Sequence, residues 1–195
     1  MKTLSKRLSV VFGWVALAVL LFAGSTPQAF AAEDKAETAA QTYCTSNGGV
    51  VETRQPYFGT NFGNPLQLAG SRQFCQFSAR DGSRIHILLS TLYATKPTLA
   101  ALAYYAKVPL VSPGNGANPA SFYCTQLGGS DQFGGTNIGG GGWVLWGSID
   151  ESLEACIFPD MSSIDSWGLA YHSASIVRGI NLGRVMRYHV HERRK

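Results

Sequence analysis

Charge is scarce in this chain. Asp, Glu, Lys and Arg make up 14% of its 195 residues, well under the roughly one quarter usual for soluble domains. Hydrophobic residues make up 45%, so the chain is not a disordered acidic or basic protein, which lacks the apolar surface to form a core. Beyond Ala23 no apolar run approaches the roughly 20 residues that a membrane span needs. No Gly-x-Ser-x-Gly elbow is present to mark a hydrolase nucleophile. Cysteine is limited to four residues, whereas glycine is abundant at 22, which implies long loops. The length fits one ordinary domain or two small ones.

Lys2, Lys6 and Arg7 precede an uncharged run from Leu8 to Ala23, and Ala29-Phe30-Ala31 follows Pro27. A basic start, a short apolar stretch and a small-x-small site define a secretory signal peptide, assigned to residues 1–31. No Cys stands near the cleavage site to carry a lipid anchor. Removing three of the 16 basic residues leaves 13 against 12 acidic ones. The formal charge of +4 is thus mostly leader, and nucleic acid is not an expected partner. Arg178, Arg184, Arg187, Arg193, Arg194 and Lys195 crowd the C-terminus, opposed only by Glu192. That tail is suited to weak contact with an anionic surface, or simply to solvation.

Export makes disulfides the default for Cys44, Cys75, Cys124 and Cys156. Four cysteines allow three pairings, and spacing alone does not choose among them. An internal repeat does. Tyr43-Cys44-Thr45-x-x-Gly48-Gly49 matches Tyr123-Cys124-Thr125-x-x-Gly128-Gly129, and the next Cys follows 31 residues on in one copy and 32 in the other. Cys75-Gln76-Phe77 then matches Cys156-Ile157-Phe158, with Asp81 and Asp160 at related turns. The repeat pairs Cys44 with Cys75 and Cys124 with Cys156, each closure contributing roughly 3–4 kcal/mol in the chain-entropy model. The expected fold is α+β: two tandem small units, each a short helix disulfide-linked to an antiparallel sheet. Residues 32–107 form the first unit, 108–117 a linker and 118–195 the second unit with its basic tail.

Asn118-Pro119 is a helix start and Gly128 a stop, predicting a helix over 120–127. A first helix is expected over 35–47 and another over 98–107, with Thr98 at its start. The Gly pairs serve backbone geometry, not phosphate binding. Strands are expected over 50–53, 74–77, 84–92, 143–146, 155–158 and 184–191. Loops are expected over 57–70 and across the Gly-rich stretch 134–142.

Asn118-Pro119-Ala120-Ser121-Phe122-Tyr123-Cys124, Gly128-Gly129, Cys156-Ile157-Phe158-Pro159-Asp160 and Asp165-Ser166-Trp167 resemble a small bacterial exported domain of unknown function that often carries a hemolysin label. The match covers roughly residues 118–172; the first copy, 40–93, is more degenerate. Met161 stands where the family has Gly, and further family cysteines are absent, for example at Ile164. The resemblance implies an exported, Cys-stapled α+β module with no established catalytic residues.

Histidines are His86, His172, His189 and His191. His189 and His191 share a face if 184–191 is a strand, but two ligands do not make a metal site. His86 reads as a packed mid-strand residue. His172, Asp165 and Ser162 hold the ingredients of a hydrolase without a positioning motif, and a membrane-active protein is a further alternative. Paired cysteines are structural, not nucleophilic. No cofactor or metal is implied. The candidate binding surface is aromatic: Trp143, Tyr57 and Phe58, with Phe62 nearby. Trp143 is expected at the surface, and Trp146 and Trp167 in the core. The functional expectation is an exported, non-enzymatic, inhibitor-like or binding module that recognises a protein, peptide or glycan at the envelope or outside the cell.

Overall fold

The computed structural model describes residues 27–111, 118–131 and 139–189. The leader to residue 26, residues 112–117 of the linker, residues 134–138 of the Gly-rich stretch and the tail from 190 lie outside the described residues. Helix α1 (Pro27–Ser46) leads into β1 (Val50–Phe58), β2 (Leu66–Gln67), β3 (Arg72–Ser78) and β4 (Arg84–Leu88), then α2 (Leu89–Tyr93) and α3 (Leu99–Ala106). Helix α4 (Pro119–Gln126) is followed by β5 (Gly141–Leu145), β6 (Ser148–Leu153), β7 (Ala155–Ile157), β8 (Ser163–Asp165) and α5 (Ser166–Ser173), with a 3-10 turn at Leu182–Arg184.

The helix starts follow their capping residues. Asn118 accepts from the backbone N–H groups of Ala120 and Ser121, Thr98 from Ala101 and Asp165 from Gly168. Gly48 and Gly128 both take φ +82° just past their helices, the left-handed stop expected of glycine. The two disulfides are Cys44–Cys75 and Cys124–Cys156, tying α1 to β3 and α4 to β7. Asp81 accepts from Ser83 N–H at 2.9 Å, and Asp160 from Ser162 N–H at 3.1 Å. Both turns are therefore stabilised by their own Asp, as the repeat predicts.

The eight strands form one antiparallel sheet in the order β6-β5-β1-β3-β4-β8-β7, with β2 added beside β1. Strands β6 and β7 stand at opposite ends of this order, yet only Glu154 separates them in the chain. The sheet therefore curls until its edges meet, giving a near-closed barrel. The expectation of a separate sheet in each half is corrected here. Strands β1, β3 and β4 form the middle, and strands from the second half flank them on both sides. Three-residue strands such as β7 and β8 are too short to bury a face alone, so they borrow the first half's sheet.

Side chains alternate across the barrel wall. Phe74, Leu88, Trp143, Leu153, Ala155 and Ile157 meet inside. The opposite face, including Phe77, Ile85, Ile87 and Ile164, packs against the helices and both disulfides.

Several local expectations change. The strand begun at Val50 runs to Phe58, into the segment expected as loop. The strand expected over 84–92 ends at Leu88, where α2 begins. Residues 184–189 hold a 3-10 turn and irregular chain instead of a strand, so the basis for aligning His189 with His191 is gone, and His191 lies outside the described residues. Helix α1 starts earlier than expected, within the assigned leader.

Candidate functional site

Two clusters of chemistry-bearing side chains lie on opposite faces of the barrel wall. The inner one begins with Glu52 and Arg54, two apart on β1 and therefore on one face. Arg54 Nη2 pairs with Glu52 Oε2 at 2.8 Å, and Arg54 Nη1 donates to the carbonyls of Trp143 and Glu151 at 2.9 and 2.7 Å. From β4, His86 places Nε2 3.3 Å from Glu52 Oε2 and Nδ1 3.5 Å from Asp165 Oδ2. Gln76, with its amide oriented to suit both neighbours, donates to Glu52 Oε1 at 2.8 Å and accepts from Arg84 Nε at 3.2 Å.

All four charged residues of this cluster are buried, and two carboxylates face one guanidinium and one imidazole. Burial by itself would strip the proton from His86, but the neighbouring carboxylates of Asp165 and Glu52 outweigh it and raise the imidazole pKa above its ordinary value. Burial likewise opposes ionisation of Glu52, and there the His86 hydrogen bond and the Arg54 charge win, lowering its pKa. Each ring nitrogen thus has a carboxylate oxygen beside it. Such a network is costly to break, because removing one partner strands a charge in the interior. The cluster links β1, β4 and β8 across the barrel interior.

Asp165 therefore faces His86, not His172. The His172 ring stacks on Tyr104 with centroids 3.7 Å apart. Burial, and then the Lys107 charge, push it down to about 4. Ser162 accepts from Ala100 N–H and donates to Asp160. The three ingredients of the hydrolase alternative are thus engaged with different partners. All four cysteines lie in the two bridges, and no group of three or more His, Cys, Asp or Glu placed to hold a metal occurs among the described residues.

The outer cluster lies across β1, β2 and the β5–β6 turn. Tyr57 pairs with Gln67 on one side and Gly142 on the other. Gln55, Tyr57, Gln67, Val144 and Trp146 line a groove of about 440 Å3. Trp146 is 74% exposed, beside Gly147 at φ +79°. The tight turn that needs this glycine carries the indole clear of the sheet. Tyr57 Oη donates to Gln67 Oε1 at 3.0 Å, and Gln67 Nε2 donates to Gln55 Oε1 at 2.6 Å.

Tyr57 is half-buried in the groove, and Phe58 is exposed next to it in sequence. Trp143, expected at the surface, is only 6% exposed and packs against Phe74 inside the barrel. Trp146, expected in the core, takes the exposed place. Pairing with Pro56 and Leu153 turns Trp143 inward, and a one-residue offset selects the face. Trp167 is partly buried against Tyr171. A larger cleft of about 600 Å3 between α1, α2 and β3 is walled by Ala36, Ala40, Leu88 and Tyr93. Its Arg187 is already stacked on Tyr93, and Arg72 is bonded to the Met161 carbonyl. Glu52 and Arg54 were not singled out from sequence, although a Glu-x-Arg pair within a strand is the signal that finds them.

Comparison with protein-family models, with curated proteins and with solved structures yields no match to this chain.

Proposed function

We propose that the protein is an exported, non-enzymatic binding module of the cell envelope or extracellular space. Its ligand surface is the outer groove formed by Tyr57 and Trp146. The observation that carries this reading is Trp146, a large indole left 74% exposed on a wall otherwise rigidified by strand pairing. Large exposed aromatics over a preformed groove are characteristic of recognition surfaces. The leader and the two disulfides support an oxidising compartment. The Cys-stapled pattern that resembles an exported domain without established catalytic residues supports a scaffold role. The ligand belongs to a protein, a peptide or a glycan of that compartment.

The test is cosedimentation of the mature chain, residues 32–195, with isolated envelope fractions. The reading predicts association that Trp146→Ala abolishes without loss of thermal stability. Equal association of both proteins with every fraction, or of neither with any, contradicts it.

A further inference from the structure

The groove also narrows the class of ligand, an inference that rests on the reading of this face as the binding surface. We propose that it takes a neutral saccharide.

Charge is the first ground. No side chain lining the groove is ionisable at neutral pH. A phosphate, carboxylate or amine entering it loses hydration without meeting an opposite charge, which is unfavourable. The second ground is the pairing of aromatic faces with ordered amides. Trp146 and Tyr57 offer apolar rings, which suit the C–H face of a pyranose. The Tyr57–Gln67–Gln55 chain of hydrogen bonds fixes three polar groups in advance, so little ordering remains at binding. It leaves the Gln55 amide N–H groups as donors at one end and the Tyr57 oxygen as an acceptor at the other. Sugar hydroxyls, each donor and acceptor at once, satisfy both ends. The volume of about 440 Å3 lies within the roughly 300–1,000 Å3 of small-molecule sites.

An extended peptide fits less well. At Tyr57, strand β1 is already paired on both sides, by β2 and by β5, so β1 itself offers no free edge there for strand addition.

The experiment is a binding screen of the mature protein against three probe sets. These are neutral oligosaccharides (maltohexaose, cellohexaose, chitohexaose and a neutral glycan array), their sulfated or uronic-acid counterparts, and proline-rich peptides. The inference predicts binding to a neutral saccharide, unchanged by added salt. Trp146→Ala should weaken it at least about tenfold, as expected for a hot-spot aromatic, and Tyr57→Phe should weaken it with the fold intact. Preference for an anionic glycan with salt-sensitive affinity, or for the peptides, overturns it. So does the absence of saccharide binding. If saccharide binding is absent but Trp146-dependent envelope association persists, only the ligand class fails. If both are absent, the binding-module reading fails as well.

Discussion

Gly49 lies directly beneath Cys75, so close that a Cβ on Gly49 would collide with the bridging sulfur and approach Cys44 Sγ to 2.8 Å. Gly129 stands in the same relation to Cys156 and Cys124. The first glycine of each pair supplies a left-handed turn, and the second makes room for the disulfide. Gly49→Ala and Gly129→Ala are each expected to cost about 1–3 kcal/mol through overpacking. Gly63→Ala, with open space around it, leaves stability nearly unchanged. Urea denaturation of the three variants checks this.

Met161 sits at φ +64°, in the turn where Gly82 occupies the equivalent place at +81°. A side chain in the left-handed region costs roughly 1–2 kcal/mol. Met161 is also half exposed, so little packing is lost with it. Met161→Gly is expected to stabilise the protein by about 0.5–1 kcal/mol after the greater freedom of glycine in the unfolded chain is discounted. A lower melting temperature in this variant contradicts the assignment of strain.

The two tryptophans of the β5 segment should respond oppositely to truncation. Trp143→Ala removes a ring from the barrel interior and is expected to cost about 3–5 kcal/mol. Trp146→Ala, at an exposed turn, should shift stability by no more than about 0.5 kcal/mol. Thermal unfolding of both variants separates the structural ring from the surface one.

Two groups, His172 buried and Asp131 half-buried, set opposing pH dependences. His172 titrates at about 4 in the fold against 6.5 when unperturbed. The unfolded chain takes up that proton first, so the contribution of His172 is full above pH 6.5 and is lost as pH falls toward 4. Asp131 is pushed up to about 7 from 3.8, by burial first and then by the Glu154 charge. Its contribution is full below pH 3.8 and is lost as pH rises toward 7. Relative to wild type, His172→Phe should gain stability as pH falls through the first window. Asp131→Asn should gain as pH rises through the second. Denaturant titrations between pH 4 and 7 read both slopes.

The starts of α3 and α4 and both bridges were legible in the sequence, because Asn118, Thr98 and the Gly pairs act locally and the repeated cysteine spacing fixes a pairing. The barrel was not. Closure depends on strand order, and nothing local tells Ala155 to join Asp165 on β8 while Leu153 joins Trp143 on β5. Strand β6 (Ser148–Leu153) hides behind two acidic residues, and β8 is only three residues long. Of the aromatic residues singled out, Tyr57 lines the outer groove, its strand neighbour Phe58 points to the other face, and Trp146 instead of Trp143 is the exposed indole. A Gly-rich neighbourhood says nothing about which way a ring points, whereas the strand pairing of Trp143 decides it.

Hydrogen exchange reads the outer groove directly. Mature protein should be compared with and without the envelope fraction that captures it. Protection is predicted at residues 55–57, 67 and 144–148, with the barrel interior around Glu52, His86 and Asp165 unchanged. Protection confined to other segments, with the 144–148 turn as open as in the free protein, would contradict it.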